Sequence, residues 1–346
     1  MRIFARAGVL AALLPLLAGR AVCAQEKVTL RSDVLLYGDN TEFRNPFREG
    51  ETIFGAAARV FVDFELNPRA TISLGAFGNQ RFGSEKAFEQ ARPVIAMTVK
   101  GKRSTFVFGT LPAKEVGHGL LPPLQRETLA FERPYEAGLQ WDFRGAAVTH
   151  SIWLEWQQLN TPAHRERFDG GLNARVIARR GFSLPVQVHV VHEGGQLFAS
   201  GPVDDSAAAA VGMAYGAPLR KTRMSLEAFG LVSKSVADRQ QPALDRNGRA
   251  FFARIAAERG GWRAHALAWR GKDFIKDEGD ANYLSIRRDG SFYRGTRDYA
   301  EAGLARRFTV APGAVVEVSG RLHRTERYYE YSYRVLSVAS LKWKLR

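Results

Sequence analysis

Apolar and polar residues alternate with a period of two along most of the chain, and a helical period is almost absent. In residues 53–66 the even positions, from Phe54 to Leu66, are all apolar, whereas the odd positions include Arg59 and Asp63. The same alternation recurs in residues 186–191, 314–323 and 334–345. Because successive strand residues point to opposite faces of a sheet, the pattern predicts β-strands with one apolar and one polar face.

About sixteen such segments follow one another, joined by connections that alternate between tight turns and longer loops. Residues 67–68 and 312–313 are tight turns, whereas residues 112–133 and 273–295 are long loops. A sandwich has no such two-sided order, but an up-and-down barrel places its turns at one end and its loops at the other. The chain is therefore predicted to be all-β, a closed antiparallel up-and-down barrel of about sixteen strands.

Charges on the polar face of these segments indicate a barrel that spans a membrane. A soluble barrel with a dry interior would bury ionised groups at high cost unless they were paired, whereas a water-filled lumen removes that cost. Aromatic residues also concentrate near both strand ends, with Trp141, Trp262 and Trp343 near the turns and Trp156 and Tyr331 near the loops. Two aromatic girdles are typical of a transmembrane barrel wall.

Residues 1–24 are predicted to be a secretory signal peptide. Two arginines precede an apolar run over residues 7–17, and small residues occupy the −3 and −1 positions of a cleavage site after Ala24. Removing this segment takes three basic residues and no acid from a net charge of +15, so residues 25–346 carry +12 and no cysteine. We expect these residues to form the barrel.

The signal peptide, the alternation, the two kinds of connection and the final strand up to Trp343 together resemble Gram-negative outer-membrane β-barrels of the porin-like type. Such barrels usually end on an aromatic residue, whereas this chain ends on Arg346. The resemblance implies a location in the outer membrane and contact with its lipid and lipopolysaccharide. It also implies insertion by the barrel-assembly machinery, as a monomer or a homotrimer.

The basic excess favours anionic partners, and export argues against nucleic acid. By strand parity the inward face holds more basic than acidic residues, and rings of charge select ions in a narrow pore. The residues predicted to line the pore are Arg59, Arg175, Arg254, Arg263, Arg321 and Glu317. The favoured function is a channel for hydrophilic, preferably anionic solutes, including acidic saccharides held by arginine. A barrel plugged by its own loops and an outer-membrane hydrolase are the alternatives.

The loop over residues 112–133 is long for a hairpin connection, and long loops are usually functional. It contains Lys114, His118 and Arg126, which would narrow the channel if the loop folded inward. A cap on the outer surface is the equally open alternative.

Neither a catalytic site nor a metal site is expected from residue spacing. His189 and His192 are three apart on one strand and face opposite sides, so they cannot bind one metal ion. There is no Gly-x-Ser-x-Gly motif, and His150 and Ser151 point to opposite faces. We therefore expect no enzymatic activity, no metal and no cofactor.

Overall fold

The computed structural model describes residues 27–112, 118–178, 180–195, 197–198 and 201–345. The predicted signal peptide and Lys114 lie outside the described residues. Within these ranges, no helix has the length and apolar character needed to cross a bilayer.

Sixteen antiparallel strands form one closed sheet, in which each strand pairs with its sequence neighbours and β1 pairs with β16. The first eight strands are Val28–Glu42, Glu51–Asn67, Ala70–Arg81, Gln90–Lys100, Ser104–Thr110, Ala137–Arg144, Val148–Gln158 and Glu166–Ile177. The last eight are Phe182–Gly194, Asp204–Leu219, Thr222–Val236, Arg246–Arg259, Trp262–Lys272, Thr296–Ala311, Ala314–Thr325 and Tyr328–Lys344. The predicted fold is confirmed. Among the described residues, the helical elements are one short α-helix, α1 (Leu129–Glu132), and 3-10 turns at Pro242–Leu244 and Ala281–Tyr283.

Alternation along each strand separates an apolar outer wall from the interior. On β15, Leu322 faces outward and is 69% exposed, whereas its neighbour His323 is buried at 5%. Phe54 on β2 and Tyr331 on β16 also expose more than half of their surface on the outside. Since the closed sheet leaves no unpaired edge, this apolar wall can face lipid without exposing backbone donors and acceptors.

Two long loops fold into the loop end of the barrel instead of covering it from outside. Inner loop A (residues 111–112 and 118–136) and inner loop B (residues 273–295) contribute Leu124, Phe131 and Phe274, whose side chains are fully buried. These side chains pack among inward-facing residues of the wall, so chain rather than water fills this part of the lumen.

The two inner loops also bind each other. The backbone N–H of Arg126 donates to the carbonyl of Glu278 at 2.7 Å, and that of Asp280 donates to the carbonyl of Pro122 at 2.9 Å. A Cβ added at Gly279 would lie 2.5 Å from the carbonyl oxygen of Pro123, so glycine permits this close approach. We refer to the two loops together as the plug.

Cavities remain between the plug and the turn end. One of about 280 Å³ is bordered by Arg31, Arg59 and Phe61, and another of about 330 Å³ by Arg175 and Arg254. A further cavity of about 470 Å³ is bordered by Arg126 of inner loop A and Lys276 of inner loop B, so space also remains beside the plug at the loop end.

Candidate functional site

Four of the residues predicted to line the pore form ion pairs on the inward face of the wall. Arg254 lies 2.6 Å and Arg175 3.4 Å from the carboxylate of Glu227, and Arg263 lies 3.1 Å from Glu317. Their charges are largely compensated by these partners. Anion selection by these residues stays a prediction.

The other two arginines of that set contact inner loop A. Arg59 donates to the backbone carbonyl of Leu111 at 2.8 Å, and Arg321 donates to the carboxylate of Glu127 at 2.8 Å. Both side chains hold the plug to the wall, because each bonds a loop residue distant in sequence.

The described residues proposed for a constriction both lie within the barrel, on inner loop A. His118 is buried, stacks on the ring of Trp153 with centroids 3.7 Å apart, and lies 3.2 Å from Glu136. Arg126 forms a 2.6 Å ion pair with Glu132 on the same loop. These contacts pack the loop firmly inside the barrel, so it does not form an open ring around a channel.

Strands β14, β15 and β16 bring a serine, a histidine and a glutamate together near the loop end. Glu301 on β14 is the register partner of His323 on β15. Ser332 on β16 pairs with Arg321, two residues from His323, so Ser332 and His323 are diagonal neighbours on the same face. All three side chains point inward.

A chain of hydrogen bonds connects these groups. His323 Nε2 lies 2.8 Å from Ser332 Oγ, and His323 Nδ1 lies 2.7 Å from the hydroxyl of Tyr299. Tyr299 in turn donates to Glu301 Oε2 at 2.7 Å. Because the tyrosine uses its one hydrogen on Glu301, it accepts from Nδ1–H, which leaves Nε2 free to accept the serine proton. We call these four residues the Ser332 site.

A nucleophile, a base and a group that orients the base are the components of covalent acyl-transfer catalysis. Ser332 Oγ is within hydrogen-bond reach of His323 Nε2, as a general base requires. Glu301 fixes the tautomer of His323 through Tyr299 and lies 3.4 Å from Nδ1 itself. The arrangement can activate a serine for attack on a carbonyl carbon.

Arginines border the Ser332 site, and each is paired with a carboxylate. Arg321 and Arg334 each lie 2.8 Å from Glu127 Oε2, and Arg321 also lies 3.7 Å from Glu301. Together with Arg48 they line a small cavity of about 30 Å³ next to Ser332. Burial alone would raise the pKa of Glu127, but the two guanidinium groups lower it well below its ordinary value.

Replacing Glu127 with glutamine should destabilise the barrel at neutral pH. The lowered pKa of Glu127 adds stability above about pH 4.5 that is lost as the pH falls through the folded-state pKa. Removing one partner of such a group costs about 3 kcal/mol. Urea unfolding in detergent should show this loss at pH 7 and a smaller loss below pH 4.5. Exposed Glu85→Gln is the control, and an equal loss at both pH values would contradict the prediction.

A second cluster lies across the barrel, where Asp169 on β8, His189 on β9 and Glu278 on inner loop B converge. One ligand atom from each lies within 4.8 Å of the others, and all three side chains are buried. Arg133 lies 2.8 Å from Glu278 and 3.6 Å from Asp169. Burial would raise the pKa of Glu278, but Arg133 lowers it well below its ordinary value, so this carboxylate is ionised. We call Asp169, His189 and Glu278 the buried cluster.

Residue spacing did not predict the Ser332 site, because its serine and its histidine lie on different strands. The turn positions carry only part of the signal. A turn at residues 326–327 sets Ser332 opposite Arg321, beside His323. Counting from the turn at residues 312–313 would set Glu301 opposite Arg324, but a β-bulge between Thr309 and Ala311 shifts the register by one residue and sets it opposite His323. Turn positions alone therefore bring the serine and the histidine together, but not the glutamate.

Solved structures with a similar fold are outer-membrane proteins. A loop L8 deletion mutant of OmpT from Vibrio cholerae shares 7% identity, covers 91% of this chain and 99% of that chain, and has a TM-score of 0.56. OccK8 (OprE) of Pseudomonas aeruginosa shares 11% identity over 92% of this chain and 98% of that chain, with a TM-score of 0.55. OccAB1 of Acinetobacter baumannii shares 11% over 92% and 97%, with a TM-score of 0.52. At these low identities, the similarity shows a common fold and nothing more.

No curated protein shows significant similarity to the chain. The family model described as lipid A 3'-O-deacylase-type, by contrast, matches residues 21–345. Because that is an enzyme family, the expectation that the protein is not an enzyme is wrong. The expectation rested on residue spacing along single strands, which does not reveal side chains that register brings together across three strands. A match over nearly the whole length shows that the chain belongs to the lipid A 3'-O-deacylase-type family.

Proposed function

We propose that the protein is an outer-membrane esterase that removes an ester-linked acyl chain from lipid A. The observation that carries this proposal is the hydrogen-bonded Ser332 site, in a chain whose family is named for that reaction. Ser332 follows the start of β16 by four residues and neighbours the outward Tyr331 and Tyr333. This is the depth of the loop-end girdle, and in the proposed orientation that end of the barrel faces the leaflet that carries lipid A.

The reaction begins when Ser332 Oγ attacks the ester carbonyl carbon while its proton passes to His323 Nε2. The tetrahedral intermediate then expels the sugar oxygen, which takes the proton from His323 and leaves the acyl chain on Ser332. A water molecule repeats the two steps, releasing a fatty acid and restoring the serine. Glu301 stabilises the imidazolium through Tyr299, because the relay places a negative charge near Nδ1.

Access to Ser332 passes the β1–β2 connection. Phe43 lies edge-on against the ring of His323, with centroids 4.9 Å apart. The carboxylate of Glu330 holds this connection in place by accepting from the backbone N–H of Arg44 and of Asn45. We infer that substrate entry displaces this segment, since the cavity beside Ser332 is only about 30 Å³.

Mass spectrometry of lipid A after incubation with the refolded protein tests the proposal. We expect the loss of one acyl chain from lipid A and the release of one equivalent of fatty acid. Heat-modifiable gel mobility of the same sample verifies that the barrel is folded. A folded protein that releases no fatty acid from lipid A in mixed micelles would refute the esterase.

Passage of anionic, hydrophilic solutes such as acidic saccharides is a second candidate function. It is favoured by the cavity between the plug and the turn end, which is bordered by Arg175 and Arg254. If this cavity belongs to a solute path, Arg254→Glu should lower anion preference in planar-bilayer reversal potentials measured in asymmetric KCl. An unchanged potential would leave Arg254 as a wall ion pair with Glu227.

We further propose that the signal peptide directs the chain to the outer membrane, where the barrel-assembly machinery inserts it among lipid and lipopolysaccharide. Cell-envelope fractionation tests the location. The mass of the detergent-solubilised protein distinguishes a monomer from a homotrimer. Outward Ala207 and Ala209 on β10 give part of the wall the small side chains that a flat subunit contact needs.

A further inference from the structure

We propose that the buried cluster of Asp169, His189 and Glu278 is a binding site for one divalent metal ion of the Zn²⁺ class, which fastens inner loop B to the barrel wall. This site is independent of the proposed esterase, because it lies on β8 and β9, across the barrel from the Ser332 site on β14–β16. Its role is to bind and to hold the plug.

The orientation of His189 is the first argument. Its Nδ1 lies 3.0 Å from the backbone carbonyl of Leu124 on inner loop A. A carbonyl oxygen can only accept, so Nδ1 carries a hydrogen and points away from the cluster. A histidine that binds a metal through Nε2 usually donates its other ring N–H in this way, to a carbonyl or a carboxylate.

The second argument is the environment of Nε2. His189 is 0% exposed, and its Nε2 has no hydrogen-bond partner in the described part of the chain. The atoms that face it are carboxylate oxygens, Asp169 Oδ2 at 3.5 Å and Glu278 Oε2 at 4.0 Å. A nitrogen lone pair directed at two carboxylate oxygens is repulsive. Arg133 contacts the same two oxygens, at 3.6 Å from Asp169 Oδ2 and 3.3 Å from Glu278 Oε2, but no donor of the described residues bonds Nε2, so a proton on Nε2 or a metal ion would relieve the repulsion there.

The distances favour the metal ion. A charged N–H···O bond is about 2.7–2.9 Å long, shorter than both separations from Nε2. With Zn–N and Zn–O bonds of about 2.0–2.2 Å, neighbouring ligands of a tetrahedral ion lie about 3.3–3.6 Å apart. The separation of 3.5 Å between His189 Nε2 and Asp169 Oδ2 agrees with that spacing. Glu278 completes the set after a small inward movement.

Other charged side chains also lie at the site. Glu155 is 3.4 Å from Arg133, and Arg167 is 3.4 Å from Glu278 Oε1. Arg133 donates to Glu278 Oε1 at 2.8 Å and more weakly to Oε2 at 3.3 Å, so a metal ion bound at Oε2 would replace only the longer of the two bonds. One imidazole and two carboxylates suit Zn²⁺, Mn²⁺, Fe²⁺ or Co²⁺, whereas Ca²⁺ and Mg²⁺ prefer oxygen ligands alone.

The test uses the full-length refolded protein, stripped with a chelator and equilibrated with Zn²⁺. We expect one tightly bound zinc ion per chain by elemental analysis after dialysis, and a higher unfolding temperature with zinc than without it. Asp169→Asn, His189→Gln and Glu278→Gln should each weaken zinc affinity by 100-fold or more. His192→Gln is the matched control, because His192 lies on the same strand and faces outward.

Two results would overturn the proposal: no zinc retained by folded wild-type protein, or equal retention by wild type and His189→Gln. If the variants do not fold, histidine ¹⁵N NMR of the wild type decides. Zinc should shift the Nε2 resonance of His189 and leave Nδ1 protonated. Two protonated nitrogens that do not respond to zinc would identify His189 as an imidazolium ion-paired with the carboxylates.

Discussion

Replacing Ser332 with alanine is expected to reduce the release of fatty acid from lipid A by about 10³-fold or more, the size of effect seen when a catalytic serine is removed. The substitution removes the nucleophile and its hydrogen bond to His323 but changes no other contact of the Ser332 site. His323→Gln should produce a loss of similar size, since nucleophile and base act as a unit. The measurement is the initial rate of acyl release by mass spectrometry.

Ser340→Ala is the matched control for this substitution. Ser340 also faces inward on β16, but it lies at the turn end and donates to Asp33 at 2.7 Å. Its removal should leave the rate unchanged. Tyr299→Phe should cause an intermediate loss, because Glu301 is still 3.4 Å from His323 Nδ1. Full activity in Ser332→Ala would exclude Ser332 as the nucleophile.

Shortening inner loop B should convert the barrel into an open channel. Replacing residues 275–286 with a short glycine linker removes the segment that packs against inner loop A, including Tyr283 and Glu278. We expect planar-bilayer conductance to rise at least tenfold, with stable current steps in place of rare channel openings. Because side chains of the plug occupy the lumen at this level, removing them leaves water in their place.

A shorter deletion, of residues 238–244 in the β11–β12 connection, is the control. That segment is mostly exposed at the loop end, so its loss should leave conductance at the wild-type level. Equal conductance in wild type and in the inner loop B variant would mean that the plug does not close the lumen in a membrane.

Alternation was sufficient to predict the strands and their inward faces. Arg59, Arg254 and Glu317 lie on the face that parity assigned to them, because a shift of one residue would turn a whole strand inside out. The plug was not predictable in the same way. Inward aromatics such as Phe252 and Trp269 break the polar pattern of the interior, but their partners are loop residues distant in the chain.

For the candidate site too, alternation predicted the faces of the strands but not the contacts between distant residues. Parity placed Glu301 on the inward face, but a catalytic group needs the correct neighbour as well as the correct face. That neighbour is set by register, which depends on turn positions to within one residue. The buried cluster was harder still, because Glu278 comes from a loop whose path depends on packing against inner loop A.

The strand that carries Ser332 is the last one in the chain, and it closes the barrel by pairing with the first. Thr41 on β1 is the register partner of Ser332, and Asp39 on β1 forms an ion pair with Arg334 on β16. The wall around the nucleophile is therefore incomplete until the two ends of the polypeptide meet. A partly assembled precursor in the periplasm would hold the serine without its finished surroundings. The proposed esterase would therefore gain its activity only when β1 and β16 pair during insertion.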